Sequence, residues 1–129
     1  MDALTTTLAQ DPRIAYALMF GSRARGEASN TSDLDVAIGL EPGIRLSAQE
    51  LGELIADLER DSGQVIDLVL LDDSPPALAY RIFADGHLLA KRNHDAFVAR
   101  KVRAILEYLD FASFEARCAQ GVLKAAANG

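Results

Sequence analysis

Tryptophan is absent, cysteine occurs once, and aromatic residues make up only 6% of the chain. A single thiol, Cys118, can form no internal disulfide, so a small disulfide-stapled fold is excluded. Its expected place is that of a small, semi-buried side chain on a helix. No apolar run approaches the roughly 18 residues of a membrane span. The opening MDALTTTLAQDPR has no basic-then-apolar leader pattern, which points to a cytoplasmic protein with no membrane partner. No G-x-x-x-x-G-K-S/T occurs, so a bound nucleotide would not sit in a P-loop. An excess of positive charge is missing too. The net charge is −6, and residues 1–75 hold 14 acids against 5 bases. A long polyanion would be repelled there, so no direct nucleic-acid partner is expected. Residues 76–129 reverse the balance, with 5 acids and 8 bases.

What remains is a chain of 129 residues, half of it apolar, long enough for one domain with its own core. The run IAYALMF at 14–20, closed by Gly21, predicts a buried strand. A short helix is expected to follow, with Ser22 near its N-cap. DLDVAIG at 33–39 predicts a second strand, whose alternation puts Asp33 and Asp35 on one face and Leu34, Val36 and Ile38 on the other. Ser47-Ala-Gln-Glu50 reads as a capping box, followed by the helical spacing Leu51, Leu54, Ile55, Leu58 and a stop at Gly63. VIDLVLL at 65–71 predicts a third buried strand. Pro75-Pro76 opens a helix to about Asp85, and Gly86 precedes a short strand, His87–Lys91. From His94 the chain reads as helical, with a stripe of Val98, Val102, Ile105 and Leu109, and a second, alanine-rich helical piece closes it. The fold class is α/β (α+β): a small mixed sheet flanked by helices, with a nucleus over 1–91 and a helical extension over 92–129 packed on the same domain.

Three aspartates stand out against this background. Asp67 interrupts an apolar strand, where a buried carboxylate must be neutralised or bound. Asp33 and Asp35 share a face, so their charges repel unless a cation lies between them. A hard divalent ion with oxygen ligands resolves both problems. Upstream, Gly21-Ser22 at a strand-to-helix turn offers close backbone approach, free N–H groups and a hydroxyl to a phosphate. Arg23 and Arg25 add mobile positive charge beside it.

Gly21-Ser22, ten further residues and then Asp33-Leu34-Asp35 resembles the G-S-x10-D-x-D signature of the DNA polymerase β-like nucleotidyltransferases. The wording GSRARGEASNTSDLDVAI is similar to the minimal nucleotidyltransferases of the MntA antitoxin type, and Asp67 stands where these carry a third carboxylate. The resemblance implies that Gly21 and Ser22 contact a triphosphate and that Asp33 and Asp35 bind two Mg²⁺ ions. Asp67 would complete the metal site or act as base. It implies ATP as substrate and AMP transfer to a tyrosine of a HEPN-family toxin, in a hetero-oligomer with that partner. A phenol with a pKa near 10 needs such help to attack at neutral pH.

Two other functions fit the same residues: an antitoxin that neutralises its toxin by covering it, and a transferase acting on a cationic small molecule of the aminoglycoside kind, received by the acidic residues 41–61. Ser32 either orients the metal ligands or ends a turn. Arg81 is a surface charge or reaches phosphate or a partner. His87 and His94, without cysteine partners, suit surface or capping roles. The aromatic residues Phe97, Tyr108, Phe111 and Phe114 are expected mostly in the core, with the remainder on a docking patch.

Overall fold

The computed structural model describes residues 2–26 and 33–128. Its centre is a four-stranded sheet in which β1 (Ile14–Phe20) lies between β2 (Leu34–Leu40) and β4 (His87–Lys91), antiparallel to both. The fourth strand, β3 (Ile66–Leu70), pairs parallel with β2 at the outer edge, giving the order β3-β2-β1-β4. One face carries Ile14, Ala17, Leu34, Val36, Ile38 and Ile66, packed against α1 (Asp2–Gln10) and α3 (Ala48–Ser62). The other carries Leu18 and Ala37 under α4 (Pro76–Asp85) and α5 (His94–Asn128). A short α2 (Gly21–Ala24) joins β1 to the second strand's approach.

Local chemistry explains the elements. In α3 the Ser47 hydroxyl accepts from the Glu50 N–H at 3.1 Å, and the Ser47 N–H donates to the Glu50 carboxylate at 3.0 Å. Gly63 closes the helix in the left-handed conformation at φ 69°. Ser47→Ala leaves those first-turn N–H groups without their side-chain acceptor. It is expected to cost about 1 kcal/mol, roughly 4 °C in melting temperature for a chain of this size, readable by calorimetry. Pro76 stands in the first turn of α4, where it has no hydrogen bond to lose. The Asn93 side chain accepts from the Ala96 N–H at 3.0 Å and starts α5.

Several expectations need correction. The helix α1 carries no strong sequence signal, yet Leu4 and Leu8 are buried one turn apart and Thr7 hydrogen-bonds Asp61 of α3. The third strand is not buried on both sides. As a five-residue edge strand it keeps Leu68 and Leu70 half-buried and Val65 before it 60% exposed. The second strand begins at Leu34, one residue later than expected.

The C-terminal region is one continuous helix of 35 residues rather than two pieces. It buries Arg100 and Ala104 and packs Ala96 and Phe97 beneath the sheet. The Arg100 guanidinium donates to the Leu71 carbonyl at 2.8 Å and pairs with Asp72 and Glu107, while Tyr108 stacks on Tyr80 with ring centres 4.1 Å apart. The stripe of Val98, Val102, Ile105 and Leu109 is exposed, as are Phe111, Phe114 and Cys118, because the helix turns a different face to its own domain. Among the described residues no helix is long and apolar enough to cross a membrane.

Candidate functional site

The register of three strands builds the site. Phe20 at the end of β1 is paired with Asp35, and Asp35 with Asp67 of β3. In-register neighbours project to the same face, and adjacent strands lie about 4.8 Å apart, so the two carboxylates stand side by side. Leu34, Val36 and Ile66 on the opposite face are buried, which fixes which way the aspartates point. The Asp35 carboxyl lies within hydrogen-bonding reach of Asp67. Partial burial first, then the charge and hydrogen bond of Asp67 and the charge of Asp33, push Asp35 above the usual carboxylate range, with Arg25 pulling the other way.

Asp67 itself is exposed. The expectation of a buried carboxylate was therefore wrong in its premise: β3 is the edge strand, and water reaches the side chain there. What singles Asp67 out is its register opposite Asp35. Two contacts hold the edge in place. The Ile66 N–H donates to the Glu59 carboxylate at 2.9 Å, and Arg23 donates to the Gln64 side chain at 2.7 Å. Arg23, expected on a phosphate, thus ties α2 to the segment before β3.

The turn after β1 approaches these carboxylates closely. Gly21 has φ +77°, and a Cβ there would lie 2.1 Å from Asp35 Oδ2. Only glycine fits both the left-handed backbone and the space. Ser22 lies inside α2 rather than at its N-cap, which is Phe20 with no side-chain cap. From the far side, His87 Nε2 meets the Ala24 carbonyl at 2.7 Å and fastens α2 to β4. This contact joins segments 63 residues apart in sequence, so no local pattern announces it. A cleft of about 160 Å³ beside the turn is lined by Gly21, Arg25, Arg81 and Asp85, among others. Arg81, which the sequence left open between surface and phosphate, is brought next to Gly21 by α4. His94 contacts Lys91 at 2.8 Å, at the other end of β4 from His87. Ser32 falls outside the described residues.

These donors suit a hard divalent cation: paired carboxylate oxygens, mutually repelling, with Asp35 against the Gly21 turn that also lines a cleft holding Arg25 and Arg81. Such an ion would orient a triphosphate and relieve charge on departing pyrophosphate. Among the described residues, no three histidine, cysteine, aspartate or glutamate side chains form a ready-made metal cluster. The Asp35–Asp67 pair is formed, and Asp33, exposed, stands just before β2.

A larger cavity of about 410 Å³ lies elsewhere, between the ends of β2 and β3 and the segment Glu41–Leu46. Ile38 and Leu70 in its lining are each three residues beyond Asp35 and Asp67, or roughly 10 Å along the strands. The cavity belongs to the wrong end of the sheet for the aspartates to act on its contents.

The fold and this acidic row opposite a glycine turn define a nucleotidyl-transferring class of protein. Residues 2–95 match the family described as Polymerase beta, Nucleotidyltransferase, and the chain belongs to that family, which supports a transferase activity. No curated protein matches the chain in sequence. Solved structures do. A toxin–antitoxin crystal structure with AMP-PNP is 21% identical, with a TM-score of 0.76 over 95% of this chain and 97% of that one. The MntA-HepT toxin–antitoxin is 20% identical, with a TM-score of 0.69 over 95% of each chain. A complex of tri-AMPylated Shewanella oneidensis HEPN toxin with MNT antitoxin is 19% identical, with a TM-score of 0.66 over 95% and 91%. At these identities the likeness is one of fold.

Proposed function

We propose that this chain is an antitoxin that transfers AMP from ATP to a tyrosine of a HEPN-family toxin and neutralises it in a hetero-oligomeric, cytoplasmic complex. The observation that carries the proposal is the Asp35–Asp67 pair placed in register beside Gly21, with Arg25 and Arg81 lining the same cleft. It is supported by the family and by neighbours of the same fold crystallised with AMP-PNP and with a tri-AMPylated toxin. In this reading the Gly21 and Ser22 backbone cradles the triphosphate, and Arg25 and Arg81 neutralise its oxygens. Asp33, Asp35 and Asp67 would hold two Mg²⁺ ions, and Asp67, exposed on the sheet edge, would accept the phenolic proton or complete the metal shell. A bond forms from the tyrosine oxygen to the α-phosphorus, and the bond to pyrophosphate breaks. Residues 1–91 carry this chemistry, and 92–129 form the extension.

Incubation with α-labelled ATP, Mg²⁺ and the product of the adjacent gene is expected to label that product on tyrosine. Equal labelling by Asp33→Ala/Asp35→Ala protein contradicts the mechanism. Neutralisation by the double variant without any labelling supports cover of the toxin by binding instead. Transfer to a cationic small molecule by the chain alone would require an acceptor pocket facing the aspartates, whereas Glu41, at the start of the acidic segment 41–61, borders the distant cavity. Arg81 is exposed on α4, so Arg81→Ala is expected to leave stability unchanged while raising the KM for ATP about tenfold, the effect of one charge-assisted hydrogen bond. Steady-state kinetics with a melting curve checks both parts.

A further inference from the structure

The helix α5 has two faces. Phe97, Arg100 and Ala104 turn toward the sheet, and roughly a third of a turn away runs the series Val98, Val102, Ile105, Leu109, Ala112, Ala116, Ala119 and Leu123. The spacing alternates four and three throughout, the heptad pattern of a coiled-coil seam. Every residue of the series is exposed, Leu109 by 55%, and so is every residue from 109 to 127. A helix projecting about 28 Å into water with an apolar seam gains little from propensity alone. Such a patch marks an interface.

We propose that a second copy of this chain covers the seam, with the two α5 helices antiparallel. The residues themselves select the partner and the register. Setting Val98 against the second copy's Ala116 brings Val102 against its Ala112 and Ile105 against its Leu109, and by symmetry the same layers in reverse. Each β-branched valine then faces an alanine, and the two largest residues meet at the centre, so the layers fill evenly. The same register puts Lys101 beside the second copy's Glu115 and Glu115 beside its Lys101, two opposite-charge pairs flanking the seam. A slip of one heptad either way sets Lys101 against Val122 or Tyr108 of the second copy, and both pairs vanish. A parallel arrangement pairs valine with valine, stacks the alanines on one another, and brings no opposite charges together at these positions. The stacking of Tyr108 on Tyr80 and the Arg100 contacts hold α5 to its own domain, so pairing leaves the sheet and the aspartates where they are.

The test uses the purified full chain without any partner protein. Sedimentation equilibrium is expected to show a dimer in the micromolar range, and Ile105→Glu/Leu109→Glu to weaken it at least a hundredfold. Because that variant also loosens the exposed helix, charge reversal provides the sharper readout. Lys101→Glu and Glu115→Lys are each expected to weaken dimerisation about tenfold, by turning two attractions into repulsions, and the two together to restore it to within about twofold. In a Cys118→Ser background, mixing Val102→Cys with Ala112→Cys chains is expected to give a disulfide-linked dimer that neither gives alone. A monomer at 100 μM, no rescue in the double reversal, or cross-linking of each cysteine variant with itself would overturn the proposal. So would a chain that is monomeric alone and engages only a different protein through α5. None of these outcomes bears on nucleotide transfer, which rests on other residues.

Discussion

Asp35→Asn is expected to lose at least about 10³-fold in nucleotidyl transfer, the several kcal/mol that charge stabilisation by a metal centre supplies, while the protein keeps or gains stability. The two effects oppose each other for one physical reason. Partial burial and the charges of Asp67 and Asp33 hold the Asp35 carboxyl above its ordinary value in the folded chain. A carboxyl whose folded pKa is raised costs nothing below the unfolded value, and its ionisation progressively destabilises the fold as pH rises through the folded value. At neutral pH the full penalty is present, and asparagine removes it. In EDTA the variant is therefore expected to melt at or above the unsubstituted protein near pH 7, and with no advantage near pH 3. Added Mg²⁺ is expected to raise the melting temperature of the unsubstituted protein and not that of the variant. A variant that melts lower at pH 7 would make Asp35 a structural residue instead.

Gly21→Ala is the second large effect. A left-handed backbone costs a non-glycine residue about 1–2 kcal/mol, and here the new methyl group also meets Asp35 Oδ2, 2.1 Å from the ideal Cβ position. Since glycine is the only residue that fits, the carboxylate must shift, and a misplacement on the order of 1 Å is enough to lose about 10²-fold in rate. Gly43→Ala is the control. It has φ +81° with nothing within 4 Å of the added Cβ, and it lies beyond the far end of β2. It is expected to show the stability loss alone. Chemical denaturation alongside transfer assays separates the two contributions, and equal activity loss in both variants would contradict the close contact at Gly21.

The elements that sequence reading places well are those whose cause is local. The run IAYALMF is apolar at every position because β1 is the central strand, covered on both faces, and its bounds coincide with the strand. Ser47–Glu50 and Gly63 bracket α3 by contacts made within one turn. Pro76 and Gly86 bracket α4 in the same way. Asp67 is instructive because the residue was singled out for the wrong reason: its isolation among apolar neighbours suggested burial, whereas β3 is an edge strand and the side chain meets water. Its position opposite Asp35 depends on the parallel register of β2 and β3, which no periodicity encodes.

Long-range contacts were equally hidden. His87 against Ala24, Arg81 beside Gly21 and Arg23 on Gln64 each join segments more than forty residues apart, and only the sheet order brings them together. In α5 the spacing of Val98, Val102, Ile105 and Leu109 marks a stripe but does not say which face the domain covers. A second pattern, Phe97, Arg100 and Ala104, supplies the inward face, and a charged residue there conceals it. The buried guanidinium donates to the Leu71 carbonyl and has Asp72 and Glu107 as countercharges.

Crystals grown with Mn²⁺ and a non-hydrolysable ATP analogue test the central claim most directly, because manganese reports its own position by anomalous scattering. Manganese is predicted within coordinating distance, about 2.1 Å for a hard cation of this size, of carboxylate oxygens from Asp33, Asp35 and Asp67, with the triphosphate against the Gly21–Ser22 backbone. Manganese held by the phosphates alone, with the three carboxylates turned away from it, would contradict the account.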